Sequence, residues 1–178
     1  QIKYMSKTLS DFRNFLKPST KKVLFSISKA LNEINEIIGK QVFYSNINMN
    51  FNYKNKNEEL LIYGYENEFK QVLLNIINNA KNKIVEKNLP LNKKGEININ
   101  IQRCENCNMI EIIDDAGAID EKIINSIFEP YFTTKENGMG LGLYMAKIII
   151  EDKMKGTISV RNDKNCVIFT IKLPFKKA

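Results

Sequence analysis

Gly138-Met139-Gly140-Leu141-Gly142-Leu143 opens straight into the apolar run Tyr144 to Ile150. Three glycines at alternate positions let the backbone take positive φ and come close to a ligand. The helical pattern behind them begins with unpaired N–H groups and the positive end of a dipole. Together they describe a cradle for phosphate. Many glycine-rich loops only turn a corner, so the weight of this one comes from what precedes it.

Directly upstream lies Ile127-Phe128-Glu129-Pro130-Tyr131-Phe132-Thr133-Thr134-Lys135. Its plain reading is a loop packed on its own core. The sharper reading is a mobile lid, anchored by aromatics, that offers Lys135 to phosphate. Further back, the strand Glu111-Ile112-Ile113 delivers Asp114-Asp115-Ala116-Gly117-Ala118-Ile119. A carboxylate at a strand end can accept a hydrogen bond from an exocyclic amine, and small residues leave room for a flat ring. The plainer meaning is an Asp-rich turn. Earliest comes Leu73 to Lys83, in which Asn75 and Asn79 share a helix face with Gln71, Asn82 and Lys83 on or beside it. Val72, Leu73, Ile76, Ile77, Ala80 and Ile84 take the core side. In a chain this rich in asparagine the polar face can be solvent-facing and nothing more. Its functional reading is a set of amide oxygens for Mg²⁺ and its phosphates, because Mg²⁺ takes oxygen ligands and keeps several waters.

Composition bounds the alternatives. The chain has 178 residues, 43% hydrophobic and 26% charged, which suits one globular domain plus an appendage. The net charge is +7, yet the lysines are scattered and no basic stripe is interleaved with aromatics. Nucleic acid is therefore not expected as a partner. No apolar run approaches the ~20 residues that span a bilayer, and no signal peptide is visible. No membrane contact by this fragment and a cytoplasmic location are expected, and a parent protein anchored in the inner membrane is compatible with that. The chain begins at Gln1 without Met and reads as a fragment. Cys104 and Cys107 form a C-x-x-C in a turn between two strand-like runs. With no histidine and only Cys166 besides, a plain hairpin with free thiols in a reducing compartment is preferred to a zinc site.

Periodicity predicts a helix over 1–16, broken by Lys17-Pro18-Ser19-Thr20. A second helix runs from Ser26 to Ile38, capped by Ser26 or Ser28 and stopped at Gly39. Strands are predicted over 42–53 and Leu60 to Tyr63, and a long helix from Glu66 to about Lys87. Hairpins follow over Glu96 to Arg103 with Met109 to Asp114, and Thr157 to Arg161 with Val167 to Leu173. A short helical piece is predicted near Glu121 to Ile127, and a helix from about Gly140 to Asp152. The fold class is α+β: a two-layer sandwich with a mixed, mostly antiparallel sheet and helices on one face.

The four blocks, in this order, resemble the catalytic, ATP-binding domain of sensor histidine kinases. They match its N box (Asn75 to Asn79), G1 box (Asp114 to Ile119), F box (Phe128 to Phe132) and G2 box (Gly138 to Gly142), and the resemblance covers about residues 20–174. It implies a Bergerat-type ATP fold, preceded at residues 1–19 by a remnant of the second dimerisation helix and a linker, with the kinase domain at 20–178. By that analogy Asp114 binds the adenine amino group. Asn79, helped by Asn75, holds Mg²⁺. Gly138, Gly140 and Gly142 shape the lid end and helix start under the phosphates. Asn82, Lys83, Ala118, Ile119, Phe128, Thr134, Lys135, Leu141 and Leu143 complete the ATP site. Branches of the superfamily that hydrolyse ATP carry a Glu as base where this chain has Asn75, so no residue is assigned as a general base. That fits phosphoryl transfer to a protein side chain.

The partners implied are a histidine-bearing dimerisation helix, absent from this histidine-free chain, the receiver domain of a response regulator, and a second copy in a full-length homodimer. Ala116 and Ala118 depart from the family's D-x-G-x-G, and Ala118 at a φ > 0 position would carry a steric cost. Asn82 stands where many relatives have a basic residue. Two rival readings are a serine/threonine kinase of the same fold, of the anti-sigma-factor type, and a degenerate module acting by protein contacts.

Overall fold

In the computed structural model, which describes residues 18–55, 58–87, 89–90, 92–136 and 138–174, the chain alternates strands with amphipathic helices. The elements are β1 Val23–Ser26, α1 Ile27–Tyr44, β2 Ile47–Tyr53, β3 Leu61–Gly64, α2 Glu66–Glu86, β4 Gly95–Arg103, β5 Cys107–Asp114, α3 Gly142–Lys147, β6 Thr157–Asp163 and β7 Cys166–Pro174. Helix α3 continues without a break into π-helical turns at Ile148–Lys153. The helix expected over 1–16 lies outside the described residues.

Five strands form one sheet in the order β2-β4-β5-β7-β6. Only β2 and β4 run parallel; the other neighbours are antiparallel. Strands β1 and β3 form a separate antiparallel pair. Alternation along the strands explains the layering. Ile97, Ile99, Ile101, Ile110, Ile112, Phe169, Ile171 and Leu173 are buried and join the helices' apolar stripes in one core. Burying a side chain of that size stabilises the fold by roughly 1.5–3 kcal/mol. On the opposite face of the sheet stands a ladder of amides. Asn50 donates to Asn98 (3.0 Å), Asn52 to Asn100 (3.0 Å) and Asn48 to Glu96 (2.8 Å). Asn108 points the other way, fully buried, and donates to the Leu61 carbonyl at 2.9 Å, tying β5 to β3.

The Ser26 cap is as expected, its hydroxyl accepting from the Lys29 N–H. Gly39 does not stop α1, which runs on to Tyr44. A mid-helix glycine costs only about 1 kcal/mol, and the buried stripe Ile34, Ile38, Val42 continues across it. Strand β2 therefore starts at Ile47 rather than at residue 42. Strand β1 went unpredicted; four residues carry too little pattern. The expected helix near Glu121 is a string of turns, held by bonds such as Ile123 N–H to Asp120 O and Glu129 N–H to Ser126 O.

Helix α2 is the central support of the site. Phe69, Val72, Leu73, Ile76, Ile77, Ala80 and Ile84 seat it on the sheet. Lys70, nearly fully buried, pairs with Glu66 one turn earlier and with Glu33 of α1. At its first turn the Glu68 carboxylate accepts the Ser19 N–H, and Ser19 Oγ accepts the Asn67 N–H (3.2 Å). The chain entering the domain is thereby bonded to the helix that carries Asn75 and Asn79. The two C-x-x-C thiols flank the β4–β5 turn, and all three cysteines are unpaired.

Candidate functional site

The apolar stripe that seats α2 dictates where its asparagines go. With Ile76, Ile77 and Ala80 buried, Asn75 and Asn79 must face outward, toward the run that follows β5. Asn75 donates its amide to the Gly142 carbonyl at 3.3 Å, linking α2 to the start of α3. Asn79 presents its amide oxygen to the Lys135 ammonium at 2.9 Å. Asn82 is partly buried one turn on, and Lys83 is exposed and pairs with Glu86 (2.9 Å).

The two aspartates at the end of β5 separate cleanly. Asp115 accepts the Glu96 N–H at 2.9 Å and so ties off the neighbouring strand. Asp114 is buried, with Oδ1 accepting the Ala116 N–H at 3.1 Å. Burial pushes its carboxyl up to about 6, and the Asp115 charge adds to the rise. The Ala116 N–H and the Lys87 ammonium pull the other way. A carboxylate with so little water around it gains from an N–H donor brought by a ligand.

The turn after Asp114 corrects one expectation. The residue with positive φ is Gly117, at +101°, and neither Ala116 nor Ala118 lies in the left-handed region. The glycine that this turn needs is present, shifted to the position between the two alanines. Backbone strain at Ala118 is therefore absent, and Ala118 is exposed. Two residues absent from the sequence reading hold this turn. Lys87 donates to the Asp115 carbonyl at 3.1 Å. Asn162 of β6 brackets Ile119, accepting its N–H (2.9 Å) and donating to its carbonyl (2.8 Å). Neither carries a sequence signal: one is a lysine just past a helix, the other an asparagine in a hairpin.

The aromatic block is anchored as expected at Phe128, whose ring meets Phe169 of β7 edge-on at 6.3 Å, with the Lys147 ammonium over it. Phe132 also packs on the core, whereas Tyr131 is exposed and sits at φ +65°. That strain is matched by Gly140, at φ +66°, where a Cβ would lie 2.3 Å from the Tyr131 carbonyl carbon. The G2 and F boxes thus press backbone on backbone, which only glycine permits. Gly138 is shaped differently. Its missing Cβ would meet the Thr133 hydroxyl at 2.4 Å, and its N–H donates to the Lys135 carbonyl. Gly142 has room for a methyl, with Asn75 at 3.7 Å. Leu141 is the residue before α3, Leu143 packs on the core and Thr134 is exposed.

Asn75 is thus bonded to Gly142 and Asn79 to Lys135, and Asp114 ends β5. Mg²⁺ fits this donor set. The Asn79 oxygen already faces a cation, the lysine ammonium, and amide oxygens are hard ligands of the kind Mg²⁺ takes.

The chain is similar in sequence and in fold to known proteins. Residues 64–177 match the family described as histidine kinase-, DNA gyrase B- and HSP90-like ATPase. Sporulation kinase A of Bacillus subtilis is 30% identical over 171 residues, 94% of this chain and 27% of that protein. The sensory histidine kinase/phosphatase NtrB of Rhodobacter capsulatus is 43% identical over 65 residues, 36% of this chain and 18% of that protein. The chain spans between about a quarter and two fifths of the sporulation kinases it matches. Among solved structures, a nucleotide-free catalytic domain of histidine kinase ThkA superposes with a TM-score of 0.74 at 28% identity, covering 87% of this chain and 96% of that one. ThkA in complex with the response regulator TrrA shares the fold, with a TM-score of 0.72 at 23% identity over 98% of this chain and 48% of that one.

Proposed function

The chain belongs to the histidine kinase-, DNA gyrase B- and HSP90-like ATPase family, and we propose that within it this chain is the ATP-binding catalytic domain of a sensor histidine kinase. It passes the γ-phosphoryl group of ATP to a histidine on a dimerisation helix of its parent protein, and the group is relayed from there to a response regulator. The observation that carries this reading is that the N box meets the segment from the F box to the G2 box: Asn75 on the Gly142 carbonyl and Asn79 on Lys135. The two contacts join segments 67 and 56 residues apart in the chain.

In this reading the buried Asp114 accepts the adenine amino group, and the Gly117 turn leaves space for the ring. Asn79, with Asn75, would hold Mg²⁺, which neutralises charge on the phosphates. Gly140 keeps the loop folded back on the F box, so the first turn of α3 and Lys135 meet the phosphates from one side. Phosphoryl transfer asks for positioning and charge neutralisation, and this set supplies both. Asn75 cannot take a proton from water, so transfer to a side chain is favoured over hydrolysis. In this reading residues 1–19 correspond in sequence to the end of a second dimerisation helix and its linker, and the parent protein is a homodimer working in the cytoplasm. Among the described residues no helix is long and apolar enough to cross a membrane.

The test is transfer in trans. The chain is incubated with γ-labelled ATP, Mg²⁺ and a separate dimerisation helix pair bearing its histidine. The helix should gain a label that is acid-labile and base-stable, as a phosphoimidazole is. Label on serine would favour the rival kinase reading, and failure to bind ATP would favour the non-catalytic one.

A further inference from the structure

Lys135 is held in place with more care than a surface lysine needs. Its own N–H donates to Thr133 Oγ1 at 3.0 Å, and its carbonyl accepts the Gly138 N–H at 3.1 Å. The Thr133 hydroxyl lies 2.4 Å from where a Cβ on Gly138 would be, so a side chain at 138 would crowd this turn. The product of this turn is one contact: the Lys135 ammonium on Asn79 Oδ1 at 2.9 Å, partly buried. Lys135 is itself partly shielded while its neighbours Thr133, Thr134 and Glu136 are exposed. No acidic side chain shares the contact among the described residues, so the ammonium is held there by a neutral oxygen.

That oxygen is the one assigned above to Mg²⁺, and the inference rests on that assignment. An ammonium and a dication on the same oxygen would stand only a few ångströms apart and repel. The two are therefore alternatives. The geometry points to Lys135 as a resident cation of the metal-facing oxygen: metal binding at Asn79 and release of the Thr133–Lys135 segment from α2 are one event. Lys135 fastens the turn to α2 through Asn79 Oδ1; with Mg²⁺ held on that oxygen the ammonium would be released and would be free to meet phosphate. The chain thereby couples the state of its loop to the presence of the metal–nucleotide pair, and not to the adenine alone. Asn79 acts as a switch point as well as a ligand.

The turn carries its own reporters, the backbone N–H groups of Lys135 and Gly138. Their hydrogen exchange is followed by NMR on the whole chain, free of nucleotide. Lys135→Met should speed exchange at both by about fivefold, the weight of one charge-assisted hydrogen bond at a part-exposed site. Asn79→Ala should do the same, and the double variant no more than either alone. Asn79→Asp keeps the shape and gives the ammonium a charged partner, so exchange should slow. In a second arm, Mg²⁺ is titrated in the presence of ADP. The Asn79 side-chain amide and the Lys135 backbone amide should shift with one midpoint. Unchanged exchange in Lys135→Met, additive singles, or an Asn79 shift without a Lys135 shift each overturns the coupling. If ADP fails to bind, the ATP assignment fails, and the exchange arm decides by itself whether Lys135 is fastened to Asn79.

Discussion

The molecule uses asparagine in two arrays that are chemically alike and physically opposite. On the sheet, Asn50 and Asn52 donate to the amide oxygens of Asn98 and Asn100, their neighbours on the next strand. On α2, Asn75 and Asn79 have no such neighbours and reach across to Gly142 and Lys135, residues of a different segment. A strand presents a side chain every second residue to a strand doing the same, so like meets like and the array closes on itself. A helix face has no partner in register, so its amides take whatever the fold brings over them. The first array stiffens a surface, and the second makes a site.

The contrast can be broken or sharpened in four ways, the strongest first. Asn79→Ala should lower phosphoryl transfer to the histidine helix by about 100-fold or more, because a metal contributes several kcal/mol of charge stabilisation. Asn98→Ala should leave that rate within about twofold. Equal losses at both positions would erase the distinction.

Gly140→Ala probes the loop laid over the helix array. Its φ of +66° and the 2.3 Å approach to Tyr131 leave no space for a methyl. The cost should be about 2–4 kcal/mol, local to the loop, with ATP binding weakened accordingly. Gly142→Ala should be nearly neutral in thermal unfolding, since a Cβ there meets only ordinary contact. Similar melting temperatures for the two variants would refute the backbone-on-backbone account.

Asp114→Asn separates binding from stability. Calorimetry should show ATP affinity reduced at least about tenfold, roughly 1.4 kcal/mol. The free domain should nevertheless become more stable at neutral pH. The folded carboxyl titrates at about 6, above its ordinary 3.8, because burial disfavours the charge. Folding then favours the protonated form, and stability falls as pH rises from about 4 through 6. The substitution removes that loss, worth up to about 3 kcal/mol at about pH 8 and vanishing below about pH 4. Denaturant midpoints of both proteins across that range provide the check.

The smallest effect is expected on the sheet. Asn50→Ala should cost less than about 1 kcal/mol, since its amides stand near solvent and water replaces the lost bonds. A larger loss of stability would mean that the ladder carries more of the fold than exposure suggests.

The long helix α2, the β4–β5 and β6–β7 hairpins and the four site blocks were legible because each rests on local pattern. Ten or more residues of one period outweigh noise, and glycine spacing is a backbone requirement written in residue type. The extent of α1 was not legible: Gly39 looks like a stop, and only the pocket that buries Val42 shows why the helix passes it. The Ala118 strain was inferred from a family pattern, whereas the real turn places positive φ at Gly117. Lys87 and Asn162 could not be found at all, since each acts through a backbone atom that only folding brings near.

By itself the sequence determined the layered α+β class, the core faces of its helices and strands, and the inventory of the candidate site: two amides, a carboxylate and a glycine-rich helix start. Periodicity and residue chemistry are properties of neighbours along the chain, and they survive without a fold. Tertiary structure alone decided which asparagines face a cation, which of two adjacent aspartates is buried, and that Gly140 serves the Tyr131 backbone. Those are relations between segments tens of residues apart. They exist only once the apolar faces have packed and placed the polar ones opposite one another.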